Sequence, residues 1–316
     1  MKKIYLILFL CISASVFAER VETIKFGNME QWVVRQIKES KLLGGQTKTL
    51  YCLAPKDTIT QNGPYTYGRN GNPWSTSNAY AKVAGIEKAA GTMKPEKREG
   101  GGTCCRLNTE MLDVCVLGVI DIQVLVAGTL FTGQTIEPIT GAGDPYKNIN
   151  FGVPFTGRPK ALMFDYKCKV SPEQWVWYAK GTAKPKKQNG HDVAEAYIYL
   201  QHRWEDANGN IHSTRVGTGY HRFTKDQPTW VNGFRVPIHY GNITKESWYK
   251  DYMGFKGLMR AKNSKGKIVP IKEEGWDANK QPTHMIIMLT SGCYEAFIGH
   301  EGNVLWVDNV KLVYEN

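Results

Sequence analysis

Two short segments of this 316-residue chain place aromatic side chains beside charged ones, a composition suited to binding sugars. In "EQWVWYAK", Trp175 and Trp177 are two residues apart and therefore share one face of an extended strand. In "ESWYKDYMGF", Trp248 and Tyr249 are followed directly by Lys250. Flat aromatic rings pack against the C–H faces of sugars, while charged and amide groups bind the hydroxyls. We therefore take the four aromatic residues as candidate ligand contacts.

A third group of candidates lies in "AEAYIYLQHRW", residues 194–204. Its alternation predicts a strand with one apolar face and one polar, aromatic face. Tyr197, Tyr199 and Arg203 lie on the polar face, together with Glu195 and Gln201. We expect this face to be open to a ligand and to form the floor of a site. Core packing is the alternative for any single aromatic residue in the group.

Catalysis has less support in the sequence than binding. Hydrolysis of a glycosidic bond needs two carboxyl groups about 5 Å or about 6.5–9.5 Å apart. Asp192 and Glu195 differ by three positions, so a strand would point them to opposite faces. The chain contains no Glu-x-Asp-x-Glu run, no G-x-S-x-G turn and no H-E-x-x-H helix motif. The alternative that remains open is a pair of carboxylates from separate strands.

The final apolar run, "VLWVDNVKLVY", is interrupted by Asp308 and Asn309. The apolar parity changes across this pair, which predicts a β-bulge. The Asp308 carboxylate should then accept backbone N–H groups or, alternatively, bind a cation such as a structural calcium. The turn "EDANGN", residues 205–210, is predicted to join two strands of a hairpin and not to hold calcium. No other cofactor is expected.

The elements that must position these residues are strands. Regular alternation, as in "FDYKCKV", and frequent turn residues predict an all-β fold built as a β-sandwich. The last strand should dock between strands laid down earlier in the chain. Residues 54–73 and 86–102 look like loops, and the basic segment 256–267 is expected to be a solvated loop.

The first eighteen residues have the pattern of a signal peptide, with Lys2 and Lys3 before an apolar run and Ala18 at the expected cleavage site. The mature chain is therefore predicted to be exported, either to the periplasm or to the cell surface and medium. Lipid attachment at Cys11 is the alternative, although the residues before it are larger than that modification prefers. No later run is long enough for a membrane helix.

Six cysteines would remain after cleavage, and their pairing cannot be read from the spacing. Neighbouring side chains of a strand point apart, so Cys104 and Cys105 should not bond to each other. The chain carries a net charge of +11, and 38 basic against 29 acidic residues remain without Lys2 and Lys3. This excess favours acidic partners, including acidic glycans, or simply solubility. Nothing in the sequence indicates a nucleic-acid partner, and it leaves the oligomeric state open.

Seven stretches in order along the chain resemble the PCMD family, the "putative carbohydrate metabolism domain" of exported proteins from gram-negative gut and oral bacteria. They are "WSTSN" (74–78), "GTCCRLNTE" (102–110), "AGTLFTGQT" (127–135), "FGVPFTGRPKALMFDYKCKV" (151–170), "DVAEAYIYL" (192–200), "FRVPIHY" (234–240) and "MLTSGCYEAFIGHEGNVLWVDNVKLVY" (288–314). The resemblance implies a jelly-roll sandwich similar to carbohydrate-binding modules, here as a single domain over residues 19–316. Glu295, Cys293 and Asn303 depart from the family pattern in one loop.

The sequence therefore predicts an exported, non-catalytic protein that binds a glycan or glycoconjugate through aromatic side chains. One alternative is a glycoside hydrolase or lyase on the same scaffold. A second alternative is an adhesion or structural component of the cell envelope that binds protein.

Overall fold

The computed structural model describes residues 19–315 except 117–119, 142 and 182. The predicted signal peptide, residues 1–18, lies outside the described residues. Strands dominate the described part, which contains two short 3-10 helices at Lys41–Leu43 and Asp251–Met253 and no α-helix. No helix in these ranges has the length and apolar character needed to cross a membrane.

The strands of the first half are β1 (Arg20–Thr23), β2 (Trp32–Lys38), β3 (Thr47–Leu53), β4 (Asp57–Ile59), β5 (Tyr65–Tyr67), β6 (Trp74–Thr76), β7 (Ala79–Val83), β8 (Ile86–Ala90), β9 (Met93–Lys97), β10 (Thr103–Asn108), β11 (Glu110–Val116), β12 (Ile120–Val126), β13 (Thr129–Glu137), β14 (Ile149–Phe151) and β15 (Val153–Pro154). Those of the second half are β16 (Ala161–Lys169), β17 (Trp175–Tyr178), β18 (Lys186–Asn189), β19 (Ala194–Glu205), β20 (Ile211–Phe223), β21 (Gln227–Pro237), β22 (His239–Tyr240), β23 (Arg260–Lys262), β24 (Ile268–Trp276), β25 (His284–Thr290), β26 (Ile298–Gly299) and β27 (Val304–Tyr314).

Two sheets carry the fold. The smaller sheet has the order β21-β16-β27-β10-β9, with β1 paired to β27. The larger sheet has the order β14-β13-β25-β19-β20-β24-β23, and β5, β6, β15 and β22 pair with its strands. Within both orders the neighbours are antiparallel except β20 and β24, which are parallel. Short sheets β3-β2-β4, β7-β8, β11-β12 and β18-β17-β26 lie around them.

The main core lies between the two sheets. Leu162 and Phe164 of β16 face Ile198 of β19 and Leu289 of β25 within one buried cluster. These residues occupy alternate positions of their strands, which is why one side of each strand enters the core. The β-sandwich that the alternation predicts is therefore confirmed.

The larger sheet is covered on its other face as well. Tyr197, Tyr199 and Ile286 pack there with Ile271 of β24, a strand of the same sheet, and with Met259, which lies just before β23. A sheet buried on both sides leaves less room for a solvent-exposed site than the sequence suggests.

The last strand docks as predicted. β27 lies between β16 and β10 in the middle of the smaller sheet, although it is the last element to be synthesised. Its pairing with β16 shifts register between Met163 and Asp165, opposite Asp308 and Asn309. Asn309 has a positive φ of 52°, and its N–H donates to Asp308 Oδ1 at 2.7 Å. The predicted bulge and the backbone role of Asp308 are both confirmed.

Three segments expected to be loops contain strands. β4 and β5 lie within residues 54–73, β8 and β9 lie within 86–102, and β23 lies within the basic segment 256–267. In β5 the two rings of Tyr65 and Tyr67 are buried against each other, with centroids 5.1 Å apart. The turn at 205–210 joins β19 to β20 as predicted, and Asp206 accepts the N–H groups of Asn208 and Asn210 there.

One buried ion pair links the N-terminal sheet to the larger sheet. Arg35 of β2 donates to Glu137 of β13 at 2.6 Å, and the two side chains are 1% and 0% exposed. Tyr67 accepts from Arg35, and the N–H of Tyr80 donates to the second oxygen of Glu137. Burial raises the pKa of Glu137, and the guanidinium of Arg35 opposes that shift.

The cysteines with described side chains are free thiols. Cys52, Cys104, Cys105 and Cys168 are buried, and Cys293 is half-buried. Cys104 donates to the carbonyl of Glu96, whereas Cys105 enters the main core, so the adjacent pair points apart as predicted.

Candidate functional site

A cavity of about 810 Å³ lies on the outer face of the larger sheet, the face turned away from the main core. Its volume is within the range of about 300–1,000 Å³ that small-molecule sites occupy. Strands β13, β25, β19 and β20 form its floor. The hairpins β7-β8 and β11-β12, the segment 251–259 and the loop 292–298 form its walls. We call this space the sheet cavity.

A carboxylate with three donors occupies the floor. Glu195 is 3% exposed and accepts hydrogen bonds from Tyr220 and from Arg222 Nε, the latter at 3.1 Å. Lys256, which comes from the wall, donates to the other carboxylate oxygen at 3.2 Å. Both oxygens of Glu195 are thus engaged, which offsets the cost of burying the charge.

Aromatic rings complete the floor. Tyr197 stacks on Tyr220 with centroids 5.1 Å apart, and the Lys256 ammonium lies 4.7 Å from the Tyr197 centroid. The Arg222 guanidinium lies 3.6 Å from the ring centroid of Tyr252. Cations over aromatic faces fix the side chains of both partners. The floor is therefore rigid and carries two cations against one carboxylate.

The loop 292–298 is held in place by a second buried carboxylate. Asp192 is fully buried, and its two oxygens accept the N–H groups of Cys293 and His300 at 2.8 Å each. Burial raises the pKa of Asp192, and these two backbone donors oppose the shift. Asp192 therefore positions the wall; it lies just before β19, which begins at Ala194.

The face of β19 that carries Tyr197 and Tyr199 is not open to solvent, so that expectation is wrong. Tyr197 is 4% exposed and Tyr199 is 0% exposed. Arg215 stacks on Tyr199 at 3.5 Å, with its guanidinium bonded to Glu273 of β24. The polar face is covered because the side chains of Arg215 and Glu273, which belong to neighbouring strands of the same sheet, and the segment 251–259 lie over it. Tyr197 lines the sheet cavity, whereas Tyr199 does not.

Trp175 and Trp177 form the tryptophan pair on β17. Both side chains are half-buried, and their ring centroids are 5.4 Å apart on one face of the strand, as predicted. Lys187 Nζ lies 3.6 Å from the centroid of Trp175, and the Trp175 ring N–H donates to Glu173 at 2.8 Å. Trp177 pairs with Gly299 of β26, whose neighbour Ile298 lines the sheet cavity. The tryptophan pair is therefore one strand away from the cavity.

A family model described as "Putative carbohydrate metabolism domain", PCMD, matches residues 55–313, most of the chain. The chain belongs to the PCMD family. No curated protein matches it. Among solved structures, a "putative glycoside hydrolase" of Bacteroides thetaiotaomicron is 18% identical, with 85% of this chain and 75% of that chain covered and a TM-score of 0.44. Another, from Bacteroides vulgatus, is 16% identical, with coverages of 79% and 96% and a TM-score of 0.42.

Two of the three positions expected from the sequence to depart from the PCMD pattern lie at the sheet cavity. Glu295 and Cys293 both line it, and Glu295 is exposed. Asn303 is fully buried and donates to the main-chain carbonyl of Asp192 at 3.0 Å. Two of these positions are thus in the wall of the cavity, and the third supports the residue that holds that wall.

Arg203 does not join the other candidates of this PCMD chain. It lies on β19 eight residues after Glu195, about 26 Å away along an extended strand. Its guanidinium donates to the carbonyl of Phe151 and to Gln201, each at 2.8 Å. Burial lowers the pKa of Arg203 to about 9, which leaves it a cation at neutral pH. Its contacts hold β14 to the edge of the larger sheet.

His284, beside Arg203, should make stability depend on pH. Burial, and to a lesser degree the charge of Arg203, lower the pKa of His284 to about 4. The unfolded chain then binds more protons than the folded one between about pH 6.5 and about pH 4. This stability is present above that range and is lost as the pH falls through it. We expect roughly 1–2 kcal/mol to be lost by about pH 5, after discounting for solvent screening.

Urea unfolding of the wild type and of His284→Gln at about pH 7 and about pH 5 measures this loss. The variant should lose less stability than the wild type over the same step. An equal loss in both proteins would contradict a depressed pKa at this position.

Trp248 and Tyr249 lie outside the sheet cavity. Trp248 is 38% exposed, and its ring lies 4.3 Å from that of His239. The residues that follow, Asp251 and Tyr252, do line the cavity. The segment "ESWYKDYMGF" thus contributes to the wall through Asp251 and Tyr252 and not through Trp248 and Tyr249.

Asp308 contacts a guanidinium. Arg98 donates to both Asp308 and Asp165, and Asn309 donates to Asp165 at 2.8 Å. The cation beside Asp308 is therefore an arginine of this chain. Among the described residues, no group of three His, Cys, Asp or Glu side chains is arranged to hold a metal ion.

Sequence reasoning missed the residues that join Glu195 at the cavity floor. Lys256 begins the basic segment expected to be a solvated loop, yet its ammonium contacts Glu195 and Tyr220 at 3.2 and 3.0 Å. Arg222 is half-buried at the end of β20. The available signal was Glu195 itself, because a carboxylate among aromatic residues on a strand face requires basic or hydroxyl partners once it is covered.

Proposed function

We propose that this chain is an exported, non-catalytic protein that binds a glycan or glycoconjugate in the sheet cavity. The observation that carries the proposal is the cavity itself, which has a ligand-sized volume and an aromatic, charged floor. Membership of the PCMD family supports a carbohydrate ligand. The scaffold in this proposal is a single jelly-roll domain over residues 19–316, located in the periplasm or at the cell surface.

The state of Glu195 favours binding over catalysis. Its oxygens accept from Tyr220, Arg222 and Lys256, and only 3% of the residue is exposed, so its carboxylate is shielded from a substrate. A catalytic carboxylate needs access to the scissile bond. In the proposed site Glu195 instead orients the two cations whose remaining N–H groups contact the ligand.

A glycan array with the purified protein tests the proposal. We expect retention of one group of related glycans, unchanged in the presence of a chelator because the proposed site uses no metal ion. Absence of retention on an array that includes acidic and lipid-linked glycans would contradict the proposal.

The tryptophan pair is proposed as a second contact surface for the same ligand, beyond the cavity mouth. Replacing Trp175 and Trp177 by Ala should abolish or strongly weaken retention on the array, because stacking on half-exposed indole rings is lost. The melting temperature should stay within a few degrees of the wild type, since neither side chain belongs to the main core. Unchanged retention, or a collapsed fold, would remove the tryptophan pair from the site.

A glycoside hydrolase is the second candidate, because three carboxylates line the sheet cavity. Asp251 and Glu295 are exposed on its wall, above Glu195 on the floor. This candidate would be favoured if the wild type released reducing sugar from glycans that it retains on the array. The release should then be lost in both Asp251→Asn and Glu295→Gln. Intact glycans after prolonged incubation would favour binding alone.

A further inference from the structure

The walls of the sheet cavity are more apolar than a sugar alone would require. Ile122, Val124 and Val126 occupy alternate positions of β12 and line the cavity along one face. Leu112 pairs with Val124 across the β11-β12 hairpin and lines it as well. These side chains are half-buried, so a substantial apolar surface faces the open space.

The other walls have the same character. Their apolar lining residues are Val83, Ile86, Ile139, Leu258, Phe297 and Ile298. Exposed apolar surface of this extent in one concave place is unfavourable in water and marks a binding site for apolar groups.

The floor offers hydrogen-bond donors from two cationic side chains. Lys256 has three N–H donors, of which Glu195 and Tyr220 accept two. Arg222 donates through Nε to Glu195 and through Nη2 to the carbonyl of Cys293. Within the described ranges, Arg222 Nη1 has no acceptor. The unused N–H groups suit the oxygen atoms of hydroxyl, carbonyl or carboxylate groups.

We infer that the ligand is a glycoconjugate with an acyl or alkyl chain, whose hydrocarbon lies against the apolar walls. Its oxygen-bearing head contacts the donors of Arg222 and Lys256. This inference rests on the proposed function and narrows its ligand class. An oligosaccharide without a hydrocarbon chain would place its hydroxyl groups against the apolar face of β12. Those hydroxyl groups would lose their hydrogen bonds to water and gain none from the protein, which is unfavourable.

A series of glucosides with one head group tests the inference by calorimetry. Methyl, butyl and octyl β-glucoside, each below its micelle concentration, differ only in chain length. Affinity should rise with chain length, by up to about fourfold for each methylene that becomes buried. Octyl glucoside should therefore bind at least about tenfold more tightly than butyl glucoside. Equal affinities across the series would overturn the inference and leave glycan binding intact.

Sodium octanoate separates the proposed binding of a sugar from the inferred binding of a hydrocarbon chain. It supplies the chain and a carboxylate without a sugar, so weaker binding than octyl glucoside supports a glycoconjugate. Octanoate binding at least as tight as that of octyl glucoside would instead overturn the proposed glycan function, and the ligand class inferred from it would fall too.

The variant Val124→Asn tests whether the ligand's hydrocarbon chain lies against β12. This variant should flatten the dependence of affinity on chain length across the glucoside series. Val21→Asn is the matched control, because Val21 is 43% exposed on β1, which pairs with β27 in the smaller sheet. A chain-length dependence that survives in Val124→Asn, with both variants folded, would contradict contact between the hydrocarbon and β12.

Discussion

Replacing Ala296 with Trp should reduce binding of octyl β-glucoside, and retention on a glycan array, by about a hundredfold or more. Ala296 lies in the loop 292–298 and lines the sheet cavity. Its backbone N–H donates to the Tyr146 hydroxyl, a contact that the substitution leaves in place. An indole at this position occupies space that the ligand needs. Loss of burial for about four methylene groups alone corresponds to about 3 kcal/mol.

The matched control for this variant is Ala207→Trp. Ala207 is exposed in the turn between β19 and β20, at the opposite end of β19 from Glu195. It should bind like the wild type and report any effect of an added surface indole. Both variants should unfold near the wild-type melting temperature. A folded Ala296→Trp protein with unchanged affinity would exclude the sheet cavity as the binding site.

Replacing Arg35 with Met should lower the free energy of unfolding by about 3–5 kcal/mol, because it leaves Glu137 buried without its cation. The Glu137 side chain is 0% exposed, so water cannot replace the guanidinium. The carboxyl group would then be driven to its neutral form, and the second contact of Arg35, to Tyr67, would be lost too. Urea unfolding monitored by tryptophan fluorescence measures the loss.

The double variant Arg35→Met, Glu137→Gln separates the cost of an unpaired charge from lost packing. Because no charge remains buried, it should recover a large part of the stability that the single variant loses. The matched control is Arg20→Met, which removes an arginine that pairs with Glu22 on the surface. It should change the free energy of unfolding by less than about 1 kcal/mol. A single variant as stable as the wild type would show that the pair contributes nothing to the fold.

Period-2 patterns predicted the parts of the fold that depend on one strand at a time. The alternation in β16 and β19 identified which side chains face the main core, and the change of parity at Asp308 identified the bulge in β27. These properties are local because successive side chains of a strand point to opposite faces whatever packs against them.

Prediction failed where the packing partner mattered. A face with Glu195, Tyr197 and Tyr199 has the same sequence pattern whether water or another segment covers it. The covering residues, Arg215 with Glu273 and Lys256 with Tyr252, come from β20, β24 and the segment 251–259. The short strands β5 and β9 were missed for a related reason, since pairing with β13 and β10 supplies their backbone hydrogen bonds.

The sequence by itself determined that this chain is an all-β sandwich of the PCMD type, with aromatic side chains suited to sugars. The tertiary structure alone decided which of them can meet a ligand. It buried Tyr199, engaged Arg203 with the carbonyl of Phe151, and brought Glu195, Arg222 and Lys256 together between the apolar walls of the sheet cavity. The physical reason is that a strand pattern fixes the direction of each side chain, whereas contacts between residues distant in sequence fix what lies in that direction.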